Sequence, residues 1–87
     1  MAEGIIRTIG SIKGFFAKPS VAVIELCGGV RIGDRIYVRG HTTDFQQIIG
    51  SMQYLRNSVA EAAPGQIIGI RVQQRCRKHD LVYKLSA

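Results

Sequence analysis

The stretch Thr43-Asp44-Phe45-Gln46-Gln47-Ile48-Ile49-Gly50-Ser51-Met52-Gln53-Tyr54-Leu55-Arg56 decides the fold, because it supports two incompatible readings. Phe45, Ile48, Ile49, Met52 and Leu55 recur at spacings of three and four, the stripe of an amphipathic helix. Thr43 and Gln46 supply the acceptor and reciprocal partner of a capping box at its start. Gly50 in the interior and the β-prone pair Ile48-Ile49 are weak counterweights. Periodicity alone predicts a helix here.

The surroundings predict strands. Turn signals fall at Gly4, Gly10, Gly14, Lys18-Pro19-Ser20, Cys27-Gly28-Gly29, Gly33-Asp34, Gly40, Gly50, Pro64-Gly65, Gly69 and His79-Asp80. Such punctuation between short β-branched runs predicts an all-β barrel or sandwich. In Arg35–Arg39, Ile36 and Val38 face one way while Arg35, Tyr37 and Arg39 face the other. Ile68, Ile70 and Val72 likewise share a face opposite Arg71 and Gln73. Val21–Leu26 is apolar on both sides except at Glu25, so it reads as a central strand. Leu81–Leu85 alternates again and is expected to close the sheet.

Eighty-seven residues, 46% of them hydrophobic, imply one folded domain over residues 1–87, with residues 1–4 expected to be flexible. The first residues lack the basic start and apolar run of a secretory signal. The apolar stretch Val21–Ile24 is far short of the roughly 20 residues a membrane helix needs. A cytoplasmic protein without membrane association is therefore expected. Cys27 and Cys76 form no disulfide framework or Cys-x-x-Cys pair, and both read as small buried hydrophobes.

Three further stretches bear on the ambiguous segment: Val30–Val38 with its Gly33-Asp34 turn, Glu61–Ile70, and Gly40-His41-Thr42-Thr43-Asp44-Phe45 followed by Ser51-Met52-Gln53. Together they resemble the second domain of elongation factor Tu and related translational GTPases. Over about Gly10 to Leu85 the chain is similar to small, stand-alone, translation-elongation-factor-like proteins. The resemblance implies a small closed β-barrel of the translation-factor domain 2 type. It also implies that Phe45–Leu55 is a strand, with Phe45, Gln47, Ile49, Ser51, Gln53 and Leu55 on one side, and that Val59 plugs one barrel end. A related barrel also resembles one appended to collagenase-like peptidase-family proteins that act on RNA modification. The chain departs from the pattern at Cys76–Asp80, where His79 replaces an expected glycine. Either that turn needs no positive φ, or histidine tolerates one at some cost.

No phosphate-cradling Gly-x-x-x-x-Gly-Lys-Ser/Thr loop is present, so no nucleotide cofactor, and no cofactor of any kind, is expected. His41, Thr42, Thr43 and Asp44 carry catalytic residue types, but sequence neighbours on an extended chain point to opposite faces and build no triad. They read as a hydrogen-bonded structural loop or as a binding loop. His41 and His79 have no metal-ligand spacing. A non-catalytic protein follows.

The net charge of +6, with eight arginines among twelve basic residues, favours acidic partners. Arg35, Tyr37 and Arg39 on one strand and Arg71, Gln73 and Arg75 on another would form one flat basic surface if the strands lay near each other. Arg77 and Lys78 would extend it. Such a surface suits tRNA or rRNA; the competing reading is charge placed for solubility. The expected function is thus an RNA-contacting module related to translation factors. The alternative is a protein-interaction module that docks on a separately encoded RNA-modification or peptidase-like enzyme, with Phe15, Phe16 and Tyr54 as candidate anchors.

Overall fold

The computed structural model describes residues 5–86, which form ten strands and no helix. Residues 1–4, expected to be flexible, and residue 87 lie outside the described residues. The strands are β1 (Ile5–Phe16), β2 (Val21–Leu26), β3 (Val30–Arg31), β4 (Arg35–Arg39), β5 (Asp44–Ile48), β6 (Met52–Tyr54), β7 (Asn57–Ser58), β8 (Glu61–Ala62), β9 (Ile67–Arg71) and β10 (Leu81–Ser86). Eight of them form one antiparallel sheet in the order β5-β4-β10-β1-β2-β9-β6-β7, and β3 pairs with β8.

The all-β expectation holds, but the sheet does not close into a barrel. Its ladder ends at β5 on one side and β7 on the other. β10, expected to close the sheet, lies inside it between β4 and β1. The open side is stitched by one buried side chain. The Gln47 amide donates to the Arg71 carbonyl at 2.9 Å, and its oxygen accepts from the Gln73 N–H at 2.8 Å. A side-chain amide thereby takes the place of one peptide group of a missing strand, and the backbone ladder stays open.

Thr43–Arg56 is not a helix. β5 buries Phe45 and Gln47 and exposes Asp44, Gln46 and Ile48, and the alternation continues to buried Ile49. The strand is then interrupted through Gly50-Ser51, and the inward phase slips by one residue to Met52. The expected single strand is therefore two strands. Ser51, Gln53 and Leu55 do not share the inward side with Phe45.

The long β1 reaches two neighbours because it is bulged. It pairs with β10 through its first half and with β2 through its second, with register shifts between Thr8 and Gly10 and between Ile12 and Gly14. Each bulge bends the strand and increases its twist. Gly10 and Gly14, read from sequence as turns, are strand residues at these irregularities. At Gly10 the strands cross so closely that a Cβ would stand 2.5 Å from the Glu25 carbonyl oxygen.

The inward faces of the strands contribute Ile9, Ile12, Ile24, Ile36, Val38, Ile68, Ile70 and Val82 to one core. Each such side chain contributes about 1.5–3 kcal/mol relative to exposure. Val59 packs against this core as a partly buried residue. Cys76 is buried as expected, whereas Cys27 is exposed.

Three turns share one design. In Arg31–Asp34, Ala63–Gln66 and Arg77–Asp80 the last side chain accepts the first residue's N–H, at 2.9, 2.8 and 2.8 Å. The third residue has positive φ in each: Gly33 at 97°, Gly65 at 92° and His79 at 79°. His79 therefore occupies a glycine conformation at a cost of about 1 kcal/mol. Leu55 and Arg56, the two-residue loop of the β6–β7 hairpin, also both lie at positive φ, 51° and 68°. Among the described residues no helix is long and apolar enough to cross a membrane.

Candidate docking surface

Residues directly opposite in an antiparallel pair share a face, so the registers build the outer surface row by row. Arg35, Tyr37 and Arg39 lie on the outward side of β4, where Ile36 and Val38 point to the core. Tyr37 stands between Gln46 of β5 and Tyr83 of β10, and Tyr83 stands opposite Thr8 of β1. One neighbouring row runs Asp44, Arg39, Leu81, Ser11. The other runs Ile48, Arg35, Leu85, Ile6.

At the centre of this face the Tyr37 and Tyr83 rings pack with centroids 5.9 Å apart and planes tilted by 30°, within the favoured range for aromatic pairs. The Asp44 carboxylate, facing the Tyr37 hydroxyl as a hydrogen-bond acceptor, and desolvation behind it hold that phenol above its ordinary pKa of 10.0. Ile6, Ile48 and Leu81 surround the tyrosines and are 60%, 47% and 41% exposed. Sequence reasoning saw the arginines and Tyr37 but missed Tyr83 and the exposed aliphatics. Their signal was the outward phase of β10, which pairing with β4 makes continuous with Tyr37.

Arg71 is exposed at the end of β9, and exposed Gln73 and Arg75 follow it outside the ladder. The single flat basic surface does not form through the sheet, because β10, β1 and β2 separate β4 from β9. Across the open side the separation is smaller. There the Gln47 bridge sets the Arg71–Gln73 backbone beside β5, the strand next to β4. Arg71 also donates from Nε to the Pro19 carbonyl at 3.4 Å.

The loop residues do not converge. The Gly40 N–H donates to the Thr43 carbonyl at 2.8 Å in a tight turn, with Thr43 buried and His41 and Thr42 exposed. Asp44 faces Tyr37 instead of His41. Of the candidate anchors, Phe16 is 61% exposed, whereas Phe15 and Tyr54 pack against the core. Shallow grooves of about 300 to 440 Å³ mark the surface, and neither histidine lines any of them.

No protein-family model matches the chain. It is 37% identical over 79 residues to an uncharacterised protease of Methanocaldococcus jannaschii, a match covering 90% of this chain and 19% of that protein. The chain thus spans about a fifth of the length of that relative. Its fold resembles the crystal structure of the C-terminal domain of a Geobacillus thermoleovorans protein described as a U32 peptidase. The TM-score is 0.84 at 21% identity, covering 90% of this chain and 91% of that one. The selenomethionine form of the same domain gives 0.83 at 20% identity, over 87% and 96%.

These likenesses overturn the expected kinship with elongation factor Tu domain 2. With it falls the expected function as a translation-factor-like module contacting tRNA or rRNA. Part of the physical reason lies in one of the three stretches behind the resemblance. The Gly33-Asp34 turn recurs in this fold at Gly65-Gln66 and His79-Asp80, so it reports a turn geometry and not a lineage. What the comparisons show is the fold, shared with the C-terminal domain of the G. thermoleovorans protein.

Proposed function

We propose that this chain is an accessory domain of a U32-type peptidase, docking on the larger catalytic part and carrying no catalysis of its own. The observation that carries this reading is the outer face of β5, β4, β10 and β1. A stacked tyrosine pair sits there among exposed aliphatic side chains, with Arg35 and Arg39 at either side. Tyrosine and arginine are the side chains enriched at interface hot spots, and aliphatic neighbours exclude water around them. The chain exposes 5588 Å² in total. A partner's share of a standard interface, about 800 Å², would occupy roughly one-seventh of that surface.

The small share of the M. jannaschii protein that the chain matches, 19%, supports a subsidiary role. The loop residues His41, Thr43 and Asp44 line none of the shallow surface grooves. The test is a double substitution, Tyr37→Ala with Tyr83→Ala, assayed against the catalytic portion of a U32-type peptidase lacking this domain. Loss of two hot-spot side chains is expected to weaken the complex by about 30-fold or more, with the circular dichroism spectrum retained. Unchanged affinity in a folded double variant overturns the assignment of this face.

A further inference from the structure

One end of the molecule collects cations from segments far apart in sequence. The Ile12 N–H donates to the Asp80 carbonyl and the His79 N–H to the Ile12 carbonyl, both at 2.8 Å, so the Arg77–Asp80 turn is pinned to β1. The same turn presses against the loop after β4, where a Cβ on Gly40 would collide with the Asp80 carboxylate. Arg39 and His41 are thereby placed beside Arg77, Lys78 and His79, all five exposed. Asp80 is buried, and its Oδ2 accepts the Arg77 N–H at 2.8 Å. Asp44 faces Tyr37. Ion pairs among the described residues are Lys13–Glu25 and Lys84–Asp34, so Arg39, Arg77 and Lys78 form no ion pair there.

The backbone adds an independent observation. Of the three turns of the same design, two place glycine at the positive-φ position, and the third places His79 there. A side chain held in a glycine conformation is strain that a substitution to glycine would remove, and such strain collects at functional positions. Here it keeps an imidazole next to the cations Arg77 and Lys78.

We infer that this end is a binding site for an acidic, carboxylate-rich segment of a protein partner. Guanidinium groups pair with carboxylates through forked, charge-assisted hydrogen bonds, and lysine adds a compact charge. The Tyr37 and Tyr83 rings stand one row away from Arg39 and pack against each other, so binding of single-stranded nucleic acid, which needs an aromatic platform, is the competing outcome of the test. The inference rests on the reading that the partner is a protein. The surface it uses adjoins the tyrosine face and shares Arg39 with it.

The test uses an acetylated hexaglutamate peptide as probe, with hexalysine and oligouridine as controls, followed by calorimetry at two salt concentrations. The wild-type chain is expected to bind hexaglutamate more tightly than oligouridine, and more weakly as salt rises. Arg77→Glu with Lys78→Glu is expected to lower that affinity about tenfold or more. His79→Gly separates function from packing: it is expected to raise the Tm by about 4–8 °C while weakening hexaglutamate binding several-fold. His79→Gly that raises the Tm and leaves affinity unchanged overturns the site, as does charge reversal without effect. Tighter binding of oligouridine than of hexaglutamate overturns the ligand class. Because no peptidase is present, failure here is distinguishable from failure of the docking face.

Discussion

Replacing Gln47 with leucine tests whether a single side chain holds the open side of the sheet. Leucine keeps the volume and removes both bonds, leaving the Arg71 carbonyl and the Gln73 N–H without their partners. An orphaned buried backbone group costs about 1–3 kcal/mol, and partial access of water at this seam argues for the lower end. Two such groups give a loss of about 2 kcal/mol. The total stability of a domain of this length is about 4–13 kcal/mol, so the change is a large fraction of it. The midpoint of thermal unfolding should fall by about 8–16 °C. Urea titration followed by far-ultraviolet circular dichroism measures the change, read as a shift in midpoint at constant m. A loss below about 0.5 kcal/mol, the scale of an ordinary surface substitution, refutes the stitching argument. Gln47→Glu adds a pH signature. At neutral pH its carboxylate has no proton to donate to the Arg71 carbonyl, so its folded-state pKa rises above the ordinary value of about 4.3. Stability should then recover as the pH falls and the protonated group donates again.

The β6–β7 loop, with Leu55 and Arg56 both at positive φ, should respond to Leu55→Asn with Arg56→Gly. That pair suits a two-residue hairpin turn, and a gain of about 1–2 kcal/mol in urea titration is expected. The cysteines should separate chemically: a thiol reagent at pH 8 modifies Cys27 in the folded chain and Cys76 only after unfolding. Burial, with a smaller contribution from Asp80, pushes the Cys76 thiol from 9.0 up to about 11. The unfolded chain therefore releases that proton first, and the stability held below about pH 9 is lost as the pH rises towards 11. Cys76→Val should flatten that alkaline fall.

Strands β4, β9 and β10 were legible because each keeps its period of two, and β2 because its run is apolar on both sides except at Glu25. The middle of the chain was not, for a geometrical reason. Two strands joined by a one-residue phase slip bury Phe45, Ile49 and Met52, spacings of four and three that reproduce a helical stripe. Ile48 and Leu55, which complete that stripe, are exposed at 47% and 74%. The polar residue midway between Phe45 and Ile49, Gln47, is buried to bridge the seam. β1 was hidden by Gly10 and Gly14, which signal turns in sequence and serve bulges and close strand crossing in the fold. The outward arginines of β4 were readable from alternation. Their aromatic neighbour Tyr83 required knowing that the C-terminal strand pairs beside β4 and not at the edge of the sheet.

Docking on a catalytic partner is the central claim, and isothermal titration of the whole chain into the catalytic portion of a U32-type peptidase lacking this domain tests it most directly. The account predicts a one-to-one complex with a Kd in the micromolar range or tighter. The absence of any complex at 100 µM of each component, with both proteins folded, would contradict it.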